Sequence, residues 1–275
     1  MRNICILGCG YVGSKAATDW NKKGDHITAT TRHIERLDSL AKISQKSLIF
    51  KGTNEDELIP LIAGNEILLI TIAPDTVEQY ASAYLQTANM FRHLALEMNQ
   101  PRHLIYTSST SVYGDHHGLW VDETSPLLAK SEPAKILLET EKLYLSLAEL
   151  GWNVCIFRLG EIYGPGREIS RRIKQLEGHV MPGSGELYTN MVHRDDVVSA
   201  IDYSLRHDLD GVYNLVDDDH MPRIELYTTV AKKHLLPLVK WDPEHPGLRT
   251  DNKRVSNHKI KGEGFALRHP HRLLD

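Results

Sequence analysis

The chain lacks any hydrophobic run long enough to cross a membrane. Glu66-Ile67-Leu68-Leu69-Ile70-Thr71-Ile72-Ala73 is far shorter than the roughly 20 residues a spanning helix needs, and reads as a buried parallel strand. The apolar start, Asn3 to Leu7, is too short for the core of a secretory signal and runs straight into glycines. Cysteine is scarce. Cys5, Cys9 and Cys155 are odd in number and have no metal-ligand spacing, which argues against a disulfide framework and predicts a reduced, cytoplasmic protein without a bound metal. A strong charge bias is missing too. The formal net charge is −4, the 15 histidines are scattered, and there is no basic stripe or aromatic stacking platform, so nucleic acid is not an expected partner. Repeats and low-complexity tracts are absent. What remains, 41% hydrophobic and 25% charged in 275 residues, suits a soluble protein of one large domain or a main domain with a smaller lobe.

What is present is concentrated at the start. The apolar run Asn3–Leu7 is followed at once by Gly8-Cys9-Gly10-Tyr11-Val12-Gly13, then by residues that read as the first turns of a helix. This is a G-x-G-x-x-G loop between strand and helix. Gly8 allows the tight turn, Gly10 lets backbone approach a pyrophosphate, and Gly13 lets helix and strand pack closely. The helix N-terminus adds N–H donors and the positive end of its dipole. A dinucleotide site is therefore expected here, with Tyr11 and Val12 inside it. Cys9 lies in the loop and reads as a small tolerated residue rather than a reactive thiol.

Apolar β runs alternate with helical patterns through most of the chain. Strands are predicted at 2–7, 26–31, 47–50, 66–72, 103–107 and 153–157, and helices near 12–23, 33–42, 76–98 and 133–150. The alternation predicts an α/β fold with a doubly wound parallel (Rossmann) sheet. The pattern loosens near residue 160. Residues 1–160 are predicted to form the dinucleotide-binding domain, and 161–275 a smaller C-terminal substrate lobe interwoven with it.

The strand tips carry the candidate chemistry. After the second strand come Thr31 and Arg32, with no acid at the tip to hold a ribose 2′-hydroxyl. Arg32 suits a 2′-phosphate and so points to NADP, while Glu35 leaves NAD open. After the fourth strand, Ile72, Ala73 and Pro74 are small or compact enough for a cofactor ribose to lie close. After the fifth comes the hydroxyl cluster Thr107-Ser108-Ser109-Thr110-Ser111, then Val112, Tyr113 and Gly114. Thr107 and Ser108 are assigned to the cofactor side, and Ser109 and Tyr113 to the reaction centre. After the sixth, Arg158 to Arg167 includes Tyr163 and Arg167. Arg167 could grip a phosphate or carboxylate, whereas Arg171 and Arg172 read as a solvated helix face.

Taken together, these segments resemble an extended short-chain dehydrogenase/reductase of the NAD-dependent epimerase/dehydratase family. The likeness rests on Gly8–Gly13, Thr107–Gly114 and Arg158–Gly166, and continues through Val192-His193-Arg194-Asp195-Asp196-Val197, Val212–Leu215 and Arg254–Ile260. It implies that Ser109 orients substrate and that Tyr113 lines the substrate pocket. It also implies a Tyr-x-x-x-Lys pair on the following helix, where lysine favours the phenolate. Aligned on Glu141, the tyrosine position holds Pro133 and the lysine position Leu137, and the nearby Lys135 is two residues out of register. Tyr11 and Lys15 have the right spacing but lie in the phosphate loop. The chain thus resembles the atypical branch of the family, in which the cofactor fold persists without the usual pair. Tyr113, Tyr163, His193 and Glu161 are candidate replacement acids or bases, and Tyr163, Arg167 and His193 are candidate substrate contacts. His193 also reads as a structural residue before a helix, and Tyr163 as one packed under the substrate lobe.

The reading that follows is an NADP-binding oxidoreductase or epimerase-like enzyme acting on a small polar molecule such as a nucleotide sugar. Its rival is a non-catalytic NADP-binding regulator. The protein is expected to be a monomer or homodimer, the helices at 76–98 and 133–150 being the two that pair in family dimers.

Overall fold

A computed structural model describes residues 1–52, 54–98, 102–245, 247 and 251–274. In chain order the first strands are β1 (Asn3–Leu7), β2 (His26–Thr31), β3 (Lys46–Ile49), β4 (Ile67–Ile70), β5 (His103–Ser109) and β6 (Trp120–Val121). They are followed by β7 (Asn153–Leu159), β8 (Glu161–Tyr163), β9 (Val180–Pro182), β10 (Met191–His193), β11 (Gly211–Leu215), β12 (Lys240–Asp242) and β13 (Arg254–Val255). The helices begin with α1 (Tyr11–Lys22), α2 (Leu37–Ala41), α3 (Glu55–Ala63), α4 (Thr87–Met98) and α5 (Glu132–Leu145). The rest are α6 (Ile169–Gln175), α7 (Arg194–Arg206), α8 (Arg223–Lys233) and α9 (His258–Gly262).

The chain divides into two units. The first takes residues 1–108, 130–157 and 198–212, and the second takes 109–129, 158–197 and 213–275. Against the predicted boundary at 160, the second unit does resume at Arg158, but it also claims the 109–129 segment and returns 198–212 to the first.

The first unit is built on the seven-stranded sheet, of order β11-β7-β5-β4-β1-β2-β3. The pairs β1–β2, β1–β4, β2–β3 and β4–β5 are parallel. Ile4 to Leu7 and Ile67 to Ile70 are buried along their length, as strands covered on both faces must be. The strand order reverses at β1 and β4, the switch point outside which such sheets bind ligands. Helix α1 buries Val12, Gly13, Ala16, Ala17 and Trp20, and the Trp20 indole donates to Asp202 of α7 at 3.1 Å. All six predicted strands are present. The helix predicted at 76–98 is subdivided into a 3₁₀ turn at Val77–Gln79, a π-helical stretch at Ala81–Gln86 and then α4. Helix α3 was not predicted; it is nine residues long and carries Pro60 inside it.

The second unit holds three short parallel pairs, β6–β13, β8–β10 and β9–β12. Its core gathers Tyr163, Ile169, Ile173, Met191, Leu226, Tyr227, Val230 and Ala231. The end of the chain is pinned into this unit. Arg272 is fully buried, donates Nε to Asp217 at 2.9 Å and also bonds Thr189. Among the described residues no helix is long and apolar enough to cross a membrane.

Candidate functional site

The phosphate loop is built from three glycines with different surroundings. Gly8 has φ +82°, and a Cβ there would lie 2.6 Å from the Ile72 Cα, so the β4 tip passes directly against it. The Thr71 hydroxyl donates to the Gly8 carbonyl at 2.7 Å and fixes that approach. A Cβ at Gly13 would meet Thr71 Oγ1 at 2.8 Å and Ile6 Cγ2 at 3.0 Å, the close helix–strand contact its position predicts. Gly10 differs from both: a Cβ there has only the Gly8 carbonyl oxygen near it, at 3.8 Å. Helix α1 starts from Gly10 with no side-chain cap and no acid in its first turn, whereas Asn54 caps α3 and Ser131 caps α5. Its N-terminus therefore presents donors and a positive dipole end to the open side of Gly10. That cradle fits a pyrophosphate. Tyr11 and Val12 form the first turn, Val12 buried and Tyr11 half-buried. Cys9 is buried and burial pushes its thiol up to about 11, consistent with a packing role. Lys15 pairs with Asp19 one helical turn on, at 2.6 Å.

At the tip of β2, Thr30 accepts from Gly8 and Cys9 through its hydroxyl and its carbonyl. Thr31 is buried and its hydroxyl accepts from His33 N at 3.2 Å. Arg32 lashes the β2 tip to the β4 tip. Its guanidinium donates to the Ala73 carbonyl at 2.9 Å and to Gln79 at 3.1 Å, and pairs with Asp75 at 2.9 Å. The group expected to meet a ribose phosphate thus has its fork committed within the protein. Ile72, Ala73 and Pro74 follow β4 as predicted, Ala73 exposed and the other two half-buried. A second arginine, Arg36, reaches the phosphate loop and donates to Ser14 Oγ at 3.2 Å.

At β5 the two residues assigned to the cofactor part company. The Thr107 hydroxyl donates to the Ile70 carbonyl at 3.2 Å, tying β5 to the β4 tip. Ser108 is buried and donates to Glu141 of α5 at 2.5 Å. Its hydroxyl is thus engaged with α5. On α5, Pro133 occupies the first turn, Leu137 is buried, and Lys135 is exposed beside Glu132.

In the second unit, Ser109 accepts from Ser111 N at 3.1 Å and so caps the turn Thr110–Tyr113. Tyr113 is fully buried. Its hydroxyl donates to Asn214 at 2.8 Å and accepts from Arg158 at 3.0 Å, while the Arg158 guanidinium sits 5.0 Å from its ring centre. Burial raises the phenol pKa further, despite the opposing Arg158 charge. The resemblance motifs around Arg158 and Asn214 thus converge on holding this ring.

Tyr163 is buried and its hydroxyl accepts from Leu273 N at 3.3 Å. His193 accepts from Asp195 N at 3.2 Å, and its ring centre lies 3.8 Å from that of His269, tilted by 36°. Burial, with His269 alongside, lowers the His193 pKa. Both line a small cavity of about 160 Å³ with Gly164, Pro165, Glu168 and Leu273. Donor atoms of His193, Asp196 and His269 lie within 4.8 Å of one another. The Asp196 oxygens are already taken by Arg268 N, His269 N and the His269 ring, which makes it an anchor for the end of the chain. Arg167 is exposed and closes a turn onto the Gly164 carbonyl.

A larger cavity of about 610 Å³ lies elsewhere in the second unit. Arg172, Arg223, Tyr227 and Trp241 line it together with the Gly183-Ser184-Gly185 loop. Arg172, read from the sequence as solvated, is two-thirds covered and pairs with Glu161. Arg223 Nε is buried without a protein acceptor among the described residues. The Tyr227 and Trp241 rings lie 5.9 Å apart at 38°, and Trp241 packs on Gly185, where a Cβ would come within 2.8 Å of the indole. A cation beside two aromatic rings suits a planar ligand bearing an anionic group. The one local signal in the sequence was the glycine pair after Pro182; Arg223 and Trp241 reach the cavity only through the tertiary fold.

Comparison with known proteins agrees with this geometry. The sequence model of the NAD dependent epimerase/dehydratase family matches residues 4–215. Protein YeeZ of Escherichia coli (strain K12) is 31% identical over 289 residues, covering 100% of this chain and 98% of YeeZ. The chain belongs to the NAD-dependent epimerase/dehydratase family. A functionally unknown conserved protein from Silicibacter pomeroyi DSS matches in structure with TM-score 0.81 and 27% identity, over 98% of this chain and 95% of that one. The dTDP-glucose 4,6-dehydratase (rfbB) of Bacillus anthracis str. Ames, solved in complex with NAD, reaches TM-score 0.81 at 17% identity, over 98% and 92% of the two chains; that likeness is one of fold. The epimerase/dehydratase match runs from β1 to β11, and so contains the phosphate loop and Ser109. It ends before Arg223, Tyr227 and Trp241, which belong to the part of the cavity outside it.

Proposed function

We propose that this member of the epimerase/dehydratase family is an NADP-linked oxidoreductase acting on a small anionic substrate of the nucleotide-sugar class, in the reducing environment of the cytoplasm. One observation carries the cofactor: α1 begins uncapped and acid-free behind Gly10, where a side chain would fill open space. Bound there, the dinucleotide supplies hydride transfer at its nicotinamide ring. The α1 N-terminus holds the pyrophosphate, and the absence of an acid at Thr31-Arg32 favours the 2′-phosphate form. The substrate class is supported by the larger cavity, where Arg223 Nε awaits an acceptor and Trp241 and Tyr227 offer ring faces. Ser109 donates its O–H to the reacting oxygen. Tyr113 positions the Ser109 turn and moves no proton, because both sides of its hydroxyl are engaged and burial keeps it protonated.

A second reading, a non-catalytic dinucleotide-binding regulator, is favoured by α5, where Pro133 and Leu137 stand at the expected proton-transfer positions. The two separate on a screen of nucleotide sugars and small carbonyls with NADPH and NADP⁺. The enzyme reading expects turnover that falls about 100-fold or more in Ser109→Ala, on the scale of a lost catalytic hydrogen-bond donor. Tight cofactor binding with no turnover across the screen would establish the regulator instead.

A further inference from the structure

We infer that the small cavity lined by Tyr163 and His193 is a binding site for an uncharged carbonyl compound, whose oxygen accepts from both side chains. The inference goes beyond the dinucleotide and nucleotide-sugar readings above and depends on neither.

His193 and Tyr163 are only 4% and 1% exposed. The bond from Asp195 N fixes the state of the His193 ring. An Nδ1 that accepts carries a lone pair, so the ring is neutral and holds its proton on Nε2. Burial and the neighbouring His269 favour that neutral form. The Nε2–H is thus a donor, and no described residue accepts from it. The His269 ring lies 3.8 Å away centre to centre, tilted by 36°, and no hydrogen bond joins the two. The Tyr163 hydroxyl accepts from Leu273 N at 3.3 Å, and no described residue accepts its own O–H. Burial raises the phenol pKa, so that proton stays in place. The Tyr163 and His193 rings meet edge to face, 5.2 Å apart at 77°, again without a hydrogen bond between them. Two donors, each on a side chain more than nine-tenths buried, therefore line one cavity. Buried donors are nearly always matched by an acceptor, and a carbonyl oxygen, with two lone pairs, serves both.

The walls set the class of ligand. The cavity measures about 160 Å³. An apolar cavity of about 150 Å³ takes benzene, so one small ring or a short chain fits. Gly164, Pro165 and Leu273 offer apolar contact, and Glu168 is the charged residue among the described lining. Its carboxylate accepts from Gly166 N at 2.6 Å, which lowers its pKa and holds it ionised. The nearby positive groups are neutralised, Arg194 by Asp195 at 3.3 Å and Arg272 by Asp217 at 2.9 Å. A carboxylate or phosphate would meet Glu168 with no cation lining the cavity to offset it. An uncharged carbonyl meets no such penalty.

The test is an NMR titration of the intact protein, followed at the Gly164 backbone amide, with cyclopentanone and with cyclopropanecarboxylate, an anion of similar size. Thermal melting verifies that each variant is folded. The wild type should show a saturable shift with cyclopentanone and bind the carboxylate about 10-fold or more weakly. Tyr163→Phe keeps the ring and removes the O–H; it should bind cyclopentanone about 3- to 10-fold more weakly, the range of one lost hydrogen bond. His193→Asn keeps an acceptor for Asp195 N and removes the cavity donor, and should lose as much. Leu273→Trp should fill the cavity and abolish the shift while both donors remain. Unchanged affinity in both Tyr163→Phe and His193→Asn would overturn the inference, as would equal or tighter binding of the carboxylate. The absence of a saturable shift at Gly164 in the folded wild type would mean that the two donors serve water alone, and would overturn it too.

Discussion

At the scale of single residues, Gly8 and Gly10 sit two positions apart and answer to different demands. Gly8 is fixed by protein: its φ is +82° and Ile72 backbone lies where a Cβ would go. Gly8→Ala should therefore lower stability by about 2–4 kcal/mol, the sum of a left-handed alanine and a backbone clash, read by denaturant unfolding. Gly10 meets nothing of the protein closer than 3.8 Å. Gly10→Val should melt like the wild type yet bind no NADPH. A folded Gly10→Val that retains affinity would mean the loop is only a turn. The tight turn at Gly8 was legible in the sequence because the glycine spacing is local, whereas the Ile72 backbone that closes on it comes from distant chain. Ser108 and Ser109 were not separable in the same way. Which of two adjacent hydroxyls faces a helix depends on where the strand pleat ends, and β5 ends at Ser109 itself. Arg36 and Arg223 were illegible for a further reason: an arginine's partners come from distant chain, and nothing near them in the sequence names Ser14 or Trp241.

At the scale of elements, the buried parallel strands were the easiest part to read, because Ile4–Leu7 of β1 and Ile67–Ile70 of β4 are unbroken apolar runs. The short pairs of the second unit gave no such signal. Strands of two or three residues, such as β6 and β13, form only when the chain brings their partners alongside. This unit carries the clearest pH dependence. His193, before α7, has its pKa lowered by burial and by His269, against weaker opposing pulls from Asp195 and Asp196. His220 is lowered by burial despite bonds to the Val255 and Asp218 carbonyls. Groups whose folded pKa lies below the unfolded value stabilise the fold above the unfolded pKa, near 6.5, and withdraw that stability as pH falls through the folded one. These two histidines should thus withdraw stability between about pH 7 and about pH 5, against Asp217, which burial raises to about 7, and the raised His271, both of which gain on acidification. The double variant His193→Gln, His220→Gln should lose less melting temperature than the wild type on going from about pH 7 to about pH 5, and an unchanged difference would contradict this account.

At the scale of the whole molecule, the two units divide the labour that the proposed function requires. The first supplies the dinucleotide cradle, and the second supplies Ser109 and a cavity with its own cation and rings. Arg223→Ala should accordingly weaken binding of a nucleoside-diphosphate sugar by about 10-fold or more, the loss of a charge-assisted contact, while leaving NADPH affinity unchanged. Parallel losses of both affinities would mean that the side chain supports the fold rather than the ligand. The most direct test of the central claim is a single-turnover experiment. Excess protein carrying NADP⁺ or NADPH is mixed with each nucleotide sugar, and nicotinamide absorbance is followed in time. The account predicts that at least one substrate drives a transient or lasting change in the redox state of the cofactor, and that Ser109→Ala slows this change about 100-fold or more. An unchanging nicotinamide signal across the whole set, in protein saturated with both cofactor and sugar, would contradict it.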